Sequence, residues 1–197
     1  MIKATLEDKK YVADILTAAF ENNQSVNSII QQGRREYRIK RLMEYSFDVC
    51  SAFGAVYLSD DRQACALVVF PDQKQTTLRS LLWDLKLVFT CTGFRKINYI
   101  LGREARIKAL HPTEPFYHLW YIGVNPQRQN EGIGRKLLEE IIHKAQSENR
   151  SVYLETSMLK NIPWYQKSGF ELFAEQDFGY TLYFFRTKAP ESEKVVL

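Results

Sequence analysis

A short loop in the second half of the chain has the composition of an anion-binding segment. Residues 129–134 read Gln-Asn-Glu-Gly-Ile-Gly and join a strand-like run to a helix-like run. The first main-chain N–H groups of a helix have no partner within the helix, and glycines allow a bulky group to approach them. Arg128, Arg135 and Lys136 add positive charge nearby. We therefore expect the loop to bind a phosphate or a pyrophosphate.

Other glycine loops fit this segment less well, although two glycines could also belong to an ordinary tight turn. No Gly-Lys-Ser/Thr sequence follows, which excludes a Walker A loop. The third glycine of the dinucleotide-binding pattern is also missing, and the segment does not follow the first strand of a parallel unit.

The elements around the loop can be read from the periodicity of apolar residues. Residues 119–124 form a strand-like run, and apolar positions from Ile133 to Ala145 follow one face of a helix. Residues 151–156 are a second strand. A short helix is expected with Pro163 in its first turn and should end near Gly169. Two further runs, 170–173 and 180–186, predict a hairpin, and we expect the tail 191–197 to fray.

The first half of the chain predicts further elements of both kinds. Alternation over residues 2–6 indicates a short strand, and helical spacing follows at 12–20 and 35–53, with a loop or weak helix at 21–33. Residues 54–59 and 65–70 predict a hairpin. The segment 71–115 has two helical regions separated near Gly93, and it could be a substrate lid, an interface or an added layer.

Two motifs together resemble those of the GCN5-related N-acetyltransferase family (GNAT). The family's acetyl-CoA motif, Gln/Arg-x-x-Gly-x-Gly/Ala between a central strand and a long helix, matches residues 129–134 in register. The later run from Asn161 through Tyr165 to Gly169 and Phe170 is similar to the second signature of the family. The resemblance implies an α/β fold: one domain over 1–197, with a helical insertion at about 71–115. Its mixed, mostly antiparallel sheet would have splayed central strands and helices on both faces.

The resemblance also implies which residues hold the cofactor. The backbone of the central strand, around Ile122 and Val124, would pair with the pantetheine arm of acetyl-CoA. The pyrophosphate would lie against the main chain of the loop, namely Gln129, Asn130, Glu131, Gly132, Ile133, Gly134 and Arg135. Many family members have glycine where this chain has Asn130, but asparagine tolerates a positive φ. Asn161 would contact the cofactor, or it could simply cap the short helix.

Tyr165 matches the usual general acid of the family. A tyrosine hydroxyl stays protonated at neutral pH and can protonate a departing thiolate. The alternative is that Tyr165 is an aromatic core residue beside Trp164 and Phe170. The three cysteines lie outside both motifs, so we expect no covalent acyl-cysteine.

The general base is not assigned by the sequence. The central strand, residues 118–124, has no carboxylate, although relatives often carry a glutamate there. Glu155 on the neighbouring strand, His118, Glu114 and a chain of water molecules remain open as the base. Glu155 and His118 could equally be structural groups.

Composition narrows the classes of partner. The chain has 27 Lys and Arg against 23 Asp and Glu, a net charge of +4, and these cations are dispersed. Nucleic-acid-binding proteins usually concentrate their Lys and Arg residues on one element, so we expect no nucleic-acid partner for this chain. Three dispersed cysteines argue against disulfides, and the histidines show no zinc-ligand spacing with them, so we expect no metal. Neither a signal peptide nor a membrane span is apparent, and we expect a cytoplasmic protein without membrane contact.

The resemblance implies an N-acetyltransferase that moves an acetyl group from acetyl-CoA to a primary amine by direct attack in a ternary complex. The acceptor would be a small molecule or a peptide, and the protein a monomer or homodimer. The alternative is a non-catalytic module that binds or senses acyl-CoA.

Overall fold

The computed structural model describes residues 1–188, and its seven strands form one sheet in the order β1-β2-β3-β4-β5-β7-β6. The strands are β1 Ile2–Lys3, β2 Gly54–Leu58, β3 Ala64–Val69, β4 Phe116–Val124, β5 Ser151–Thr156, β6 Phe170–Asp177 and β7 Thr181–Thr187. The helices are α1 Lys9–Phe20, α2 Gln24–Ile29, α3 Arg35–Phe53, α4 Leu78–Leu87, α5 Ile97–Lys108, α6 Ile133–Ser147 and α7 Ile162–Lys167.

Every strand pair of this sheet is antiparallel except β4 and β5, which run parallel. The expected mixed, mostly antiparallel sheet is therefore confirmed.

Helices cover both faces of the sheet. On one face, α1 and α3 pack against alternate residues of β2 and β3, such as Val56 and Leu67. On the other face, α6 packs against the intervening residues, such as Ala66 and Val68, and α7 lies at the end of the same apolar cluster. Alternate residues of a strand point to opposite faces, so β3, which is buried throughout, contributes to both layers.

The parallel pair β4–β5 separates after three residues. Phe116, Tyr117 and His118 pair with residues 151–153, and no further pairing between the two strands follows within the described chain. The remainder of β4 stays paired with β3 on its other edge. The central strands are thus splayed, as expected, and a gap opens between them.

A bulge in β4 changes which residues face each layer. Leu67 pairs with Tyr121 but its neighbour Val68 pairs with Leu119, so Trp120 has no partner of its own on β3. Before the bulge, Leu119 packs against the α6 layer; after it, Tyr121 packs against the α1 and α3 layer. The extra residue therefore brings Tyr121 to the face that His118 also occupies.

The segment 71–115 packs across the ends of α2 and α3. A short π-helical stretch, Val88–Thr92, follows α4, and Gly93 with φ 72° ends it. Lys96 Nζ donates to the carbonyls of Ser28 and Ile30, each at 2.6 Å, and Arg38 Nη1 donates to the carbonyls of residues 90 and 91. These contacts fasten the segment to the rest of the fold.

Several expected elements differ in extent. The first strand is limited to Ile2–Lys3, because residues 6–8 turn into a 3₁₀ helix. The region 21–33, expected to be a loop or weak helix, contains α2 with Asn23 as its side-chain cap. Strand β6 extends to Asp177, beyond the expected end at residue 173, whereas β7 keeps the expected length and is shifted by one residue. The tail 191–197, expected to fray, lies outside the described residues.

The cysteines are free thiols in the protein interior. Burial raises the pKa of Cys50 and Cys65 well above the ordinary thiol value and that of Cys91 to about 12.

Among residues 1–188, no helix combines the length and hydropathy needed to cross a membrane.

Gly54 provides a test of this packing. A Cβ atom there would lie 2.1 Å from the Val68 carbonyl oxygen and 2.9 Å from the Val69 Cα. Because both neighbours are backbone atoms of the paired strand, Gly54→Ala should lower the free energy of unfolding by about 2–3 kcal/mol in urea denaturation. Gly102→Ala in α5, where no atom lies within 4 Å, should be neutral or stabilising by up to ~1 kcal/mol. Equal stability of the two variants would contradict the packing described.

Candidate functional site

The loop between β4 and α6 has the backbone conformation of an anion cradle. Asn130 has φ 68° and Gly132 has φ 80°, both in the left-handed region. Gly132 lies at the N-cap of α6 and, having no side chain, cannot cap the first N–H groups of the helix. A Cβ on Gly134 would lie 2.8 Å from Val124 Cγ2, so that glycine lets the helix start close to β4. Asn130 adopts the positive φ that its replacement of glycine requires.

The N–H groups at the start of α6 are available to a ligand. The first intrahelical bond runs from the N–H of Lys136 to the carbonyl of Gly132. No hydrogen bond within the described chain uses the N–H groups of residues 132–135. Together with the helix dipole, these donors can bind a phosphate.

The cations beside the loop are engaged by neighbouring carboxylates. Arg128 Nε donates to both oxygens of Glu131 at 2.9 and 2.8 Å, and Arg135 Nε donates to Glu139 at 2.8 Å. Lys136 Nζ lies 3.2 Å from Asp60. The positive charge expected from these three side chains is therefore partly compensated.

A cavity of about 490 Å³ lies on the α1 and α3 side of the gap between β4 and β5. The end near the strands is lined by Ile122, Thr156, Ser157, Asn161 and Tyr165. The other end is lined by apolar residues of α2, α4 and α5, including Val26, Ile29, Leu87, Ile97, Ile100 and Ile107. The segment 71–115 thus forms a wall of the cavity, whereas the three cysteines do not line it.

Arg103 holds this wall in position. Its guanidinium donates to Ser25 Oγ at 2.7 Å and to the Tyr180 hydroxyl at 3.0 Å, and it pairs with Glu104 at 3.0 Å. These contacts connect α5 to α2 and to the turn between β6 and β7. Although burial opposes the charge, the neighbours Tyr180 and Glu104 raise the pKa of Arg103 above its ordinary value.

Tyr165 lies at the start of the cavity, on α7. Its ring is buried between Phe170 and Phe185, with Trp164 beside it. Burial raises the pKa of Tyr165 well above the ordinary phenol value, so its hydroxyl keeps its proton at neutral pH. The ring thus belongs to the core, as the alternative interpretation held, and the side chain also lines the cavity.

Asn161 precedes α7 and lines the same end of the cavity. It is the residue before the first helical turn, but its side chain makes no capping hydrogen bond. A capping role of its side chain, the alternative raised from the sequence, is therefore not observed, and no hydrogen bond within residues 1–188 uses its side-chain amide.

Three ionisable side chains meet where β4 and β5 separate. His118 Nε2 lies 2.8 Å from one oxygen of Glu155, and His111 Nε2 lies 2.8 Å from the other. We call His111, Glu155 and His118 the histidine–glutamate cluster. Each side chain is exposed by no more than 14%. His118 and Glu155 line the cavity, and His111 lies behind them after α5.

The cluster is electrostatically coupled. Burial would raise the pKa of Glu155, but the charges and hydrogen bonds of His118 and His111 hold it well below the ordinary carboxyl value. Burial would lower the pKa of His118, but the charge and hydrogen bond of Glu155 outweigh that effect and raise it. Glu155 is therefore an ionised carboxylate at neutral pH.

Two imidazoles and a carboxylate are also a donor set for divalent cations. In this arrangement, however, each imidazole contacts a carboxylate oxygen at hydrogen-bond distance.

Sequence reasoning found part of this site. Strand alternation indicated that Glu155 points away from Val152 and Leu154, and those two residues do pack on the α6 side. Glu114, the third acidic or basic candidate, is exposed and does not line the cavity. His111 was not identified, because nothing in its spacing indicates that the end of α5 returns to β5.

Comparisons with known proteins agree with this fold. The model of the family described as "Acetyltransferase (GNAT) domain" matches residues 93–172. An uncharacterized N-acetyltransferase of Schizosaccharomyces pombe is 31% identical over 174 residues, which cover 82% of this chain and 70% of that protein.

Two solved structures share the architecture. One is described as the histone acetyltransferase HPA2 and related acetyltransferase from Corynebacterium glutamicum; it has a TM-score of 0.71 at 20% identity, over 98% of this chain and 97% of that chain. The other is the C-terminal condensation domain of Ebony in complex with beta-alanyl-dopamine, with a TM-score of 0.67 at 12% identity, over 94% and 96% of the two chains. The chain belongs to the GNAT acetyltransferase family, and the family resemblance of its two motifs is confirmed.

The coupling within the cluster predicts a pH-dependent contribution to stability. Glu155, with its lowered pKa, stabilises the fold above the unfolded carboxyl pKa of about 4.3, and His118, with its raised pKa, does so below the unfolded imidazole pKa of about 6.5. Both contributions are complete between these values. Glu155→Gln should therefore destabilise most near pH 5–6, by about 2 kcal/mol, the size expected for a hydrogen bond to a charged group, and less on either side.

Urea denaturation from pH 4 to pH 8 measures this difference. Glu114→Gln, which removes an exposed carboxylate nearby, serves as the control and should have little effect. A loss for Glu155→Gln that does not vary with pH would contradict the coupling.

Proposed function

We propose that the protein transfers an acetyl group from acetyl-CoA to a primary amine by direct attack within a ternary complex. The observation that carries the proposal is that unused N–H groups at the start of α6 adjoin a gap between β4 and β5. The first feature suits a pyrophosphate and the second suits an extended arm. The cavity beyond them suits a second substrate.

In this proposal, the loop residues 129–135 hold the pyrophosphate through the main chain. The open edge of β4 at Ile122 and Val124 accepts the pantetheine arm as an added strand. Asn161 contacts the cofactor with a side-chain amide that is not used for capping. Acetyl-CoA is the donor, and no residue of the chain forms a covalent intermediate.

Tyr165 is the proposed general acid. The reaction releases coenzyme A as a thiolate, whose conjugate thiol has a pKa of roughly 8.5, and a nearby proton donor lowers the barrier to its departure. Because burial raises its pKa, Tyr165 is protonated under all conditions in which the protein would act.

We further propose that the chain forms one domain in which 71–115 is a helical insertion that shapes the acceptor pocket. Its apolar lining favours an amine that carries an apolar group, whether a small molecule or a peptide. The alternative of a non-catalytic acyl-CoA sensor was based on the missing carboxylate of β4, and the position of Glu155 beside His118 weakens that ground.

The glycine at the start of α6 provides a test of the proposed pyrophosphate site. In Gly132→Ala, the added Cβ would meet no atom within 4 Å, but alanine at φ 80° costs about 1–2 kcal/mol. The loop should therefore relax away from the conformation that presents its N–H groups. Calorimetry should then show coenzyme A binding weakened by about tenfold.

Gly179→Ala is the matched control, because Gly179 also has φ 80° with no atom within 4 Å but lies in the turn before β7. It should lose similar stability and keep its affinity for coenzyme A. Equal affinity in the two variants would contradict the proposed pyrophosphate site.

The proposed reaction can be tested with a panel of amines. Release of free thiol from acetyl-CoA is measured against a panel of alkylamines, arylalkylamines, amino acids, aminoglycosides and peptides, with amide formation followed by mass spectrometry. At least one amine should be acetylated. Tyr165→Phe should lower kcat for that amine by about 10²-fold and leave coenzyme A binding intact.

Tyr183→Phe is the control, because Tyr183 packs against the same apolar cluster but does not line the cavity. Binding of coenzyme A without acetylation of any amine would favour the sensor.

A further inference from the structure

We propose that His118 is the general base that accepts the proton of the acceptor ammonium, with Glu155 and His111 as the residues that hold it in position. The assignment rests on the acetyl transfer proposed above and adds to it a group that the sequence left open.

The position of His118 fits this role. It is the last residue of β4 paired with β5, so its side chain lies where the gap between the strands begins. It lines the same cavity as Tyr165. An amine that attacks a thioester held in the gap would therefore have the base and the acid within one cavity.

The hydrogen bonds of the cluster determine which nitrogen can act. Glu155 is ionised and can only accept, so the Nε2 atoms of both His118 and His111 must donate to it. When His118 is neutral, its Nδ1 then carries the lone pair. No hydrogen bond to that Nδ1 occurs within residues 1–188, so it is available to a substrate.

The charges around His118 tune its basicity. Glu155 from β5 and Glu104 from α5 favour the imidazolium, whereas burial and Lys74, which follows β3, oppose it. His111 lies across Glu155 and shares its charge. The net effect raises the pKa of His118 above 6.5, which makes it a stronger base than a free imidazole.

The protons balance as follows. The acceptor ammonium gives one proton to His118 Nδ1, and the resulting amine forms a bond from its nitrogen to the thioester carbonyl carbon. As the carbon–sulfur bond breaks, Tyr165 protonates the sulfur. The nitrogen loses its second proton, which restores Tyr165 through solvent, and His118 returns its own proton to solvent.

The histidine side chains are not all equivalent, which provides a control. His143 is exposed on α6, outside the cavity. The variants to compare are His118→Gln, Glu155→Gln and His143→Gln, each with calorimetric coenzyme A binding as the check of folding.

The test is the pH dependence of kcat/KM for the amine that the panel identifies. In the natural sequence, kcat/KM should rise with pH through the pKa of His118 and then level off. Glu155→Gln should move that midpoint down by about one pH unit, because the imidazolium loses its carboxylate partner. His118→Gln should lower the plateau by about 10²-fold and abolish the midpoint. His143→Gln should match the unchanged protein.

A merely structural role would not move the midpoint, since ionisation of the acceptor amine is the same for every variant. If His118→Gln fails to fold, the shift of the kcat/KM midpoint in Glu155→Gln still tests the assignment of His118 as the base. If the midpoint does not move in Glu155→Gln, the assignment of His118 as the base is wrong. The proposed function still holds in that case, provided that the unchanged protein acetylates an amine. Absence of any acetylation overturns both.

Zinc binding is the remaining outcome. Ligand atoms around a tetrahedral zinc are about 3.3 Å apart, farther than the 2.8 Å contacts observed here. Equilibrium dialysis with zinc chloride should therefore show no tight site. Stoichiometric zinc that disappears in His118→Gln, together with loss of activity on chelation, would overturn the base in favour of a metal site.

Discussion

The separation of β4 from β5 is the constraint on which the site depends. Parallel pairing ends at His118, yet β4 continues to Val124 and is held by β3 on its other edge. Main-chain polar groups of a strand need partners, and a free edge is a place where an extended ligand can add. The loop after β4 leads directly into α6, whose first N–H groups have no partner within residues 1–188, so these donors follow the open edge of β4 along the chain.

The bulge at Trp120 and the histidine–glutamate cluster place side chains from several elements around this gap. The bulge brings Tyr121 to the face of His118, where the cavity lies. Glu155 reaches the same point from β5, while Tyr165 approaches from α7. The wall built by α4 and α5 is tied down through Arg103 and Lys96, so the cavity has fixed sides. Local backbone irregularity and side-chain ionic contacts thus act together.

Much of the fold could be predicted from the sequence because it depends on local pattern. The helices α1, α3 and α6 and the hairpin of β2 and β3 follow directly from apolar periodicity. The loop at 129–134 was identifiable because glycine spacing before a helix has a physical meaning at short range. The cluster was not identifiable in the same way, since His111 and Glu155 are 44 residues apart and meet only through the return of α5. The bulge at Trp120 could not be predicted either, because the sequence of β4 is that of a regular strand and the extra residue is recognisable only from its pairing with β3.

The most direct measurement of the central claim follows the backbone amide signals of residues 129–135 by NMR as coenzyme A is added. The amides of residues 132–135 should shift strongly and saturate, with smaller changes along residues 122–124, and dephospho-coenzyme A should reproduce them because it keeps the pyrophosphate. Pantetheine, which lacks the pyrophosphate, should move residues 122–124 and leave 132–135 unchanged. Saturable binding of coenzyme A that leaves the amides of 132–135 unmoved would contradict the account.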